Sequence, residues 1–490
     1  MPSFFDKLFK GKATAAAPAG TPTATAPPES TTTDAATSNP FDTLFAQATA
    51  AAVAGDLPRA IPLYDQTIAA DPSQAGPYYK RANALKDLGR LQEALASYNQ
   101  AIERKPDYAY AFCNRAVVQQ GLGALDEALA SCDQAIALDP NDPLAHNNRA
   151  LLLQSLHRWD EALASYDRAI GINPGYADAH YNRSLTALYL GDFASGWPGF
   201  EWRRRVAQRI NIAAPREFAQ PQWRGDAPIG GKRLLVYSEE GLGDAIQFCR
   251  YVTLAAAAGA TVIVEVQASL VSLVKSVAGA SQVIAKGRPL PPFDYHCPLM
   301  SLPLAFKTTV ESISAPVKYL QPDPETVAAW RSALSPAGAP KVGLVWSGNP
   351  NNAIDVRRSL PLAQWTSKLP RGLQYFRVQN DVRPADQAVL DAHPFIVSPG
   401  DLTGFENTAG FCECLDLLIS VDTSIAHLGG ALGKRTWVLL PFVPDWRWMR
   451  ERTDTPWYPN MKLYRQKRPD NWDAVLDQVS ADLRREFQAG

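Results

Sequence analysis

Three short stretches hold residues whose types and spacing suit chemistry. The first is "EEGLGDAIQFCRY" (239–251), where Gly241, Gly243 and Asp244 follow the apolar run "KRLLVYS" and precede an alanine-rich helical run. A strand-to-helix turn of this kind ordinarily receives a phosphate, whose charge suits the open amides of a helix start. Here it carries a carboxylate, whose plainest use would be to cap its own helix. The second stretch, "GLVWSGNPNNAIDVRRSLPLAQW" (343–365), offers Ser347, Gly348 and Asn349 after a strand, with Arg357 and Arg358 before the next helix. Small residues let backbone amides approach an anion, and a guanidinium clamps it. The alternative is a solvated loop with surface arginines. The third, "DLLISVDTSIAHLGGALGKRTWVLL" (416–440), ends a strand at Asp422 and starts a helix at once. Thr423 or Ser424 would cap that helix, and its amides would face a bound anion. His427 sits one turn in, either facing the same cleft or serving as a satisfied structural histidine.

The elements that must position these residues are strands alternating with helices. "RLLVYS", "TVIVEV" and "SQVIAK" form one series of β-rich runs; "KVGLVWSG", "LQYFRVQ", "LDLLISV" and "TWVLL" form a second. Such alternation predicts parallel sheets covered by helices. A helix and a Pro/Gly-rich linker, "PDPETVAAWRSALSPAGAP", separate the series. Two Rossmann-like domains are therefore expected, at 211–335 and 336–490, facing each other across a cleft. Ligands bind at the carboxyl ends of such strands, where all three stretches lie.

The first part of the chain repeats itself. Pro72, Pro106, Pro140 and Pro174 recur every 34 residues, as do Ala60, Ala94, Ala128 and Ala162. Tyr64, Tyr98, Cys132, Tyr166 and Phe200 keep the period, and so do Gly55, Gly89, Gly123 and Gly191, with His157 interrupting that column. This pattern resembles the tetratricopeptide repeat, an α-solenoid of stacked helix pairs. The array is expected at 41–210. One polar column runs through it: Lys80, Asn114, Asn148 and Asn182, each followed by an arginine. An amide ladder on the concave face would grip an extended acceptor peptide. The alternative is hydrogen bonding between helices inside the stack. The arginines read better as packing and ion-pair residues.

Before the repeats, residues 1–12 ("MPSFFDKLFKGK") place aromatic and lysine residues at helical spacing, which suits weak docking to a membrane surface or partner. Residues 13–40 are an Ala/Thr/Pro-rich flexible linker. The formal net charge of −1 argues against a general nucleic-acid binder. Six scattered cysteines read as reduced thiols, and no 18-residue apolar run appears. Cytoplasmic placement is the expectation.

"LGD" after the first strand and "VDTSIAHLGGALGK" near the end resemble the heptosyltransferases, the family 9 glycosyltransferases. A repeat array ahead of such a pair of domains is similar in architecture to O-GlcNAc transferase. From about residue 41 onward the chain resembles bacterial repeat-plus-glycosyltransferase proteins, some of which modify flagellins; "PFVPDWRWMRERTDTPWYP" (441–459) resembles a segment of them without a family-wide role. The resemblance implies the GT-B fold, a nucleotide-sugar donor and no cofactor. By that matching Asp244 is the catalytic base, and Asp422, Thr423, Ser424 and His427 line the donor site. Arg357 or Arg358 stands in place of a lysine, and Ser424 where a glycine is common. A base at the first turn would take the proton of an attacking hydroxyl, inverting the anomeric centre. No DxD motif suggests a metal, so helix amides and arginines would stabilise the leaving diphosphate. The expected function is an inverting, metal-independent glycosyltransferase acting on a protein, possibly flagellin-like, held by the repeats. Transfer to a glycan or lipopolysaccharide, or a non-catalytic scaffold, are the alternatives.

Overall fold

The computed structural model describes residues 39–206, 216–239, 241–334, 338–350 and 355–488. The expectations for residues 1–12 and for most of the 13–40 linker lie outside the described residues. Two compact units divide the described chain, 39–179 and 180–488.

Among the described residues of the first unit, eight helices run from Pro40–Val53 to Trp159–Ile172. The periodic columns explain the packing. Ala60, Ala94, Ala128 and Ala162 are fully buried, so adjacent helices approach to methyl contact. Tyr64, Tyr98, Cys132 and Tyr166 are likewise fully buried and fill the space beside them. The glycine column is a conformational one: Gly55, Gly89 and Gly123 have φ of 80°, 75° and 81°, and His157, which interrupts it, keeps the same left-handed backbone at 58°. The arginine column ties helices together as the sequence suggests. Arg81 pairs with Asp65 and Ser97, and Arg149 with Asp133 and Ser165.

In the second unit two parallel sheets form. The first contains β1 (Arg233–Tyr237), β2 (Thr261–Val266), β3 (Ala280–Ala285) and β4 (Tyr295–Pro298) in the order β3-β2-β1-β4. The second contains β5 (Lys341–Val345), β6 (Gln374–Arg377), β7 (Ile396–Val397), β8 (Leu417–Val421), β9 (Thr436–Leu440) and β10 (Met461–Arg465) in the order β10-β9-β8-β5-β6-β7. Every residue of β8 and β9 is buried, as a sheet covered on both faces requires. Strand order reverses between β5 and β8, and between β1 and β4. At such a reversal the loops leaving adjacent strands diverge and open a crevice for a ligand.

Both sheets belong to one compact unit. The final repeat, expected to close an array reaching residue 210, contributes to this unit: the division falls inside helix Ala177–Leu190, and Phe193–Phe200 packs on α/β elements. The Trp197 indole donates to Thr308 O at 2.9 Å and lies edge-on to Trp446, while Phe193 stacks on Trp457. The turn that follows sends Arg203, with no exposed surface, to Glu201, Glu239 and Ser301, at the β1–β4 reversal. The two sheets are further joined by Arg250, which donates to Trp457 O at 2.5 Å, to Ser314 O and to the Tyr319 hydroxyl.

Candidate functional site

The second sheet brings two of the three sequence stretches together at its β5–β8 reversal. Ser347 and Gly348 leave β5; Asp422, Thr423 and Ser424 leave β8. Arg358 spans the gap, its Nη1 donating to Asp422 O at 2.9 Å and its Nε to Asp355 Oδ1 at 3.1 Å. Asp355 is almost wholly buried and also accepts from Ser359 and Arg383. Two guanidiniums thus converge on one carboxylate. Arg357 and Asn349 lie at the surface beside this cluster.

The amides of Ser347 and Gly348, expected to approach an anion, are already engaged. Ser347 N donates to Gln379 Oε1 at 3.0 Å and Gly348 N to Ser359 Oγ at 3.2 Å. The physical reason is burial: at a strand end beneath neighbouring loops, each N–H takes an internal acceptor. The helix Ser424–Ala431 differs. Thr423 occupies its cap position in extended backbone, but its side chain makes no cap bond and meets Ser420 instead. The expected capping by the hydroxyl is therefore replaced by a helix start without a side-chain cap, next to Arg358. That is the anion-favouring combination of dipole and guanidinium.

His427 is buried. Its Nδ1 meets Tyr458 Oη at 2.9 Å and its ring stacks on Trp448. Burial, then the charges of Arg447 and Arg250, push its pKa well below the usual histidine range, so it is neutral near pH 7. Asp422 is partly exposed; burial first and the Asp445 charge second raise its pKa, against Arg358, Trp448 and Arg447.

The third stretch arrives from the first sheet. Helix Leu242–Phe248 packs against helix Ser424–Ala431. Gly243 makes this possible: a β-carbon there would stand 2.9 Å from His427 Cδ2 and 3.4 Å from Ser424 Cα. Asp244 is buried, and both its oxygens are engaged. Oδ2 accepts from Gly241 N at 3.0 Å, the cap anticipated as the plain alternative, and Oδ1 accepts from Arg447 Nη2 at 2.6 Å. Sequence reasoning missed Arg447, Asp355, Gln379 and Arg383. For Arg447 the signal was the tryptophan-rich stretch 441–459, whose residues gave no spacing rule.

The polar column of the repeats is corrected. Lys80 is exposed, but Asn114 is half-buried and donates to Tyr79 Oη at 2.9 Å and Asn83 Oδ1 at 3.1 Å. Asn148 is buried and donates to Cys113 Sγ at 3.3 Å; Asn182 is buried in the other unit. At positions 114 and 148 the amide donors serve the preceding repeat, because consecutive repeats pack closely enough to enclose them. Among the described residues no group of three or more His, Cys, Asp or Glu side chains stands ready for a metal ion, and no helix is long and apolar enough to cross a membrane.

Residues 82–123 match a "TPR repeat" family model, and residues 109–142 and 143–176 each match a tetratricopeptide repeat model. Protein FlbA of Caulobacter vibrioides is 26% identical over 324 residues, 61% of this chain and 53% of FlbA, so the chain spans about half the length of that relative. Among solved structures, residues 41 to the end of MamA from Desulfovibrio magneticus RS-1 align at 16% identity over 35% of this chain and 100% of MamA, with a TM-score of 0.32. YrrB, described as a TPR protein with an unusual peptide-binding site, aligns at 23% identity over 34% of this chain and 86% of its own, with a TM-score of 0.30. The chain carries tetratricopeptide repeats, followed by a region of parallel α/β sheets.

Proposed function

We propose that the protein is an inverting glycosyltransferase of GT-B type that moves a sugar from a nucleotide-sugar donor to a hydroxyl of an acceptor protein. The observation that carries this reading is the meeting of two strand-to-helix turns. A helix start without a side-chain cap, joined to Arg358, faces a buried carboxylate-bearing turn from the other sheet. The first has the chemistry for a diphosphate and the second for a proton.

In the proposed reaction the donor diphosphate lies against the Ser424–Ala431 helix start and Arg358. The acceptor oxygen forms a bond to the anomeric carbon from the face opposite the diphosphate. The carbon–oxygen bond to the diphosphate breaks, and the nucleoside diphosphate leaves with that electron pair. Asp244 takes the hydroxyl proton. The partial charge of the helix start and the guanidinium offset the charge developing on the leaving group, so no metal is required. His427, neutral and fixed by Tyr458, shapes the contact between the turns. The protein nature of the acceptor rests on the repeats, whose stacked helices offer a long binding surface.

The test is incubation of the purified chain with a panel of labelled nucleotide sugars and cell lysate, with and without EDTA. Label on protein, released nucleoside diphosphate and indifference to EDTA are the expected results. Label only on glycan would replace the acceptor assignment. Consumption of no donor at all would refute the transferase reading, and activity lost in EDTA but restored by a divalent ion would refute its metal independence.

A further inference from the structure

We infer that Arg447 is a positioning residue that holds Asp244 in place from the opposite sheet; the inference rests on the transferase reading above. Arg447 lies in the stretch 441–459, to which neither the sequence nor the proposed reaction gives a role. It is 3% exposed. Its place is set locally. After β9 the chain runs through Pro441 and Pro444 to a single 3-10 turn, Trp446–Trp448, capped by Asp445, whose carboxylate accepts from Arg447 N at 3.0 Å. That turn aims the guanidinium toward the first sheet.

Among the described residues the guanidinium meets three acceptors. Nη1 pairs with Asp445 Oδ1 at 2.9 Å, on its own side of the junction. Nη2 pairs with Asp244 Oδ1 at 2.6 Å, and Nε donates to Gln247 Oε1, both on helix Leu242–Phe248 of the first sheet. Trp446 and Phe248 lie under its charge at 4.5 and 5.5 Å. Asp422 contributes a third negative charge nearby, and neutral His427 adds no competing cation. Asp244 is therefore oriented by a rigid planar partner that is itself anchored by Asp445. A planar fork can satisfy these three acceptors in one geometry; a lysine ammonium has the charge but not the fixed spacing. The consequence is that a residue of the donor-side sheet sets where the proton acceptor of the other sheet points.

The test measures transfer by the full chain with Arg447→Met, Arg447→Lys, Asp244→Asn and the Asp244→Asn/Arg447→Met double variant, alongside calorimetric binding of UDP, GDP, ADP and CDP and thermal unfolding. A misplaced reacting group loses about a hundredfold in rate. Arg447→Met is therefore expected to lose kcat on that scale, with KM for donor and nucleoside diphosphate affinity retained. Arg447→Lys should recover part of the loss. The double variant should match Asp244→Asn within about twofold, because Arg447 acts through the group already removed. Losses that multiply in the double variant, or a fall in kcat that Arg447→Lys restores fully, would overturn the inference. So would an Arg447→Lys protein that folds as the wild type and has lost nucleotide affinity in step with kcat. A wild type that turns over no donor overturns the transferase reading and the inference with it; an active wild type beside an unaffected Arg447→Met overturns the inference alone.

Discussion

Gly348→Ala is the most demanding test of the β5–β8 crevice. A β-carbon at this position would stand 2.9 Å from Arg358 Cζ and closer still to Arg358 Nη2 and Asp355 Oδ1. Asp355 cannot retreat, being 1% exposed and held by Ser359 and Arg383. The Arg358 side chain, 16% exposed, is the freer partner and must move. Its displacement breaks the 3.1 Å bond to Asp355 and the 2.9 Å bond to Asp422 O. Hydrogen bonds to charged groups are worth about 1.5–3 kcal/mol each, but the displaced guanidinium regains water, so a net loss of about 1–2 kcal/mol is expected. The anion clamp moves with it, and a loss of about 1.4 kcal/mol in nucleotide binding is a tenfold weaker Kd. Urea unfolding followed by tryptophan fluorescence reads the first effect, and calorimetric titration with nucleoside diphosphates reads the second. Gly230→Ala is the control, since its β-carbon would meet only Ala258 O at 3.7 Å. A Gly348→Ala protein that unfolds at the wild-type urea concentration and binds nucleotide as the wild type does would refute the reasoning.

Two further outcomes are expected. Burial, then Arg204 and Arg216, lower the His296 pKa to about 4, below the 6.5 of an unperturbed histidine. The unfolded chain therefore binds more protons between those values, and stability falls as pH drops through that window, by up to about 1.4 kcal/mol per pH unit for this group. The difference in urea midpoint between wild type and His296→Asn should shrink from pH 7 to pH 4.5; a constant difference would refute the assignment. Asn148→Ala should destabilise the repeat unit by about 0.5–1.5 kcal/mol through loss of its bond inside the stack, read by circular dichroism during unfolding. Unchanged repeat stability would show that this bond contributes nothing to the stack.

The repeats were legible because their constraints recur: the same alanine, aromatic and glycine slots return every 34 residues. The central strands were legible as apolar runs, and β2 and β9 coincide with "TVIVEV" and "TWVLL". The strands β4, β7 and β10 were not. "YHCP" ends in proline, β7 has only two residues, and "MKLYR" mixes charges into an edge strand, so none gives a hydrophobic run. Site residues were found where a strand-to-helix turn announces itself locally. Arg447 was missed because its partner Asp244 lies 203 residues away, and no local spacing encodes such a pair. The asparagine column stays open between a surface and an internal role in the sequence for a related reason: the sequence shows that a slot is polar, whereas burial is decided by how closely the next repeat packs.

Arg250 and Arg447 cross the junction between the sheets in opposite directions, each leaving one half to bind acceptors in the other. This has a bearing on inheritance. A chimera that took its first sheet from this chain and its second from a distant relative would leave Arg250 with Ser314 O and the Tyr319 hydroxyl, but Asp244 and Gln247 without their cation. A buried charge that loses its partner destabilises a fold by about 3–5 kcal/mol. Recombination between the halves is therefore penalised at this junction, and the two sheets should pass between lineages as a single cassette.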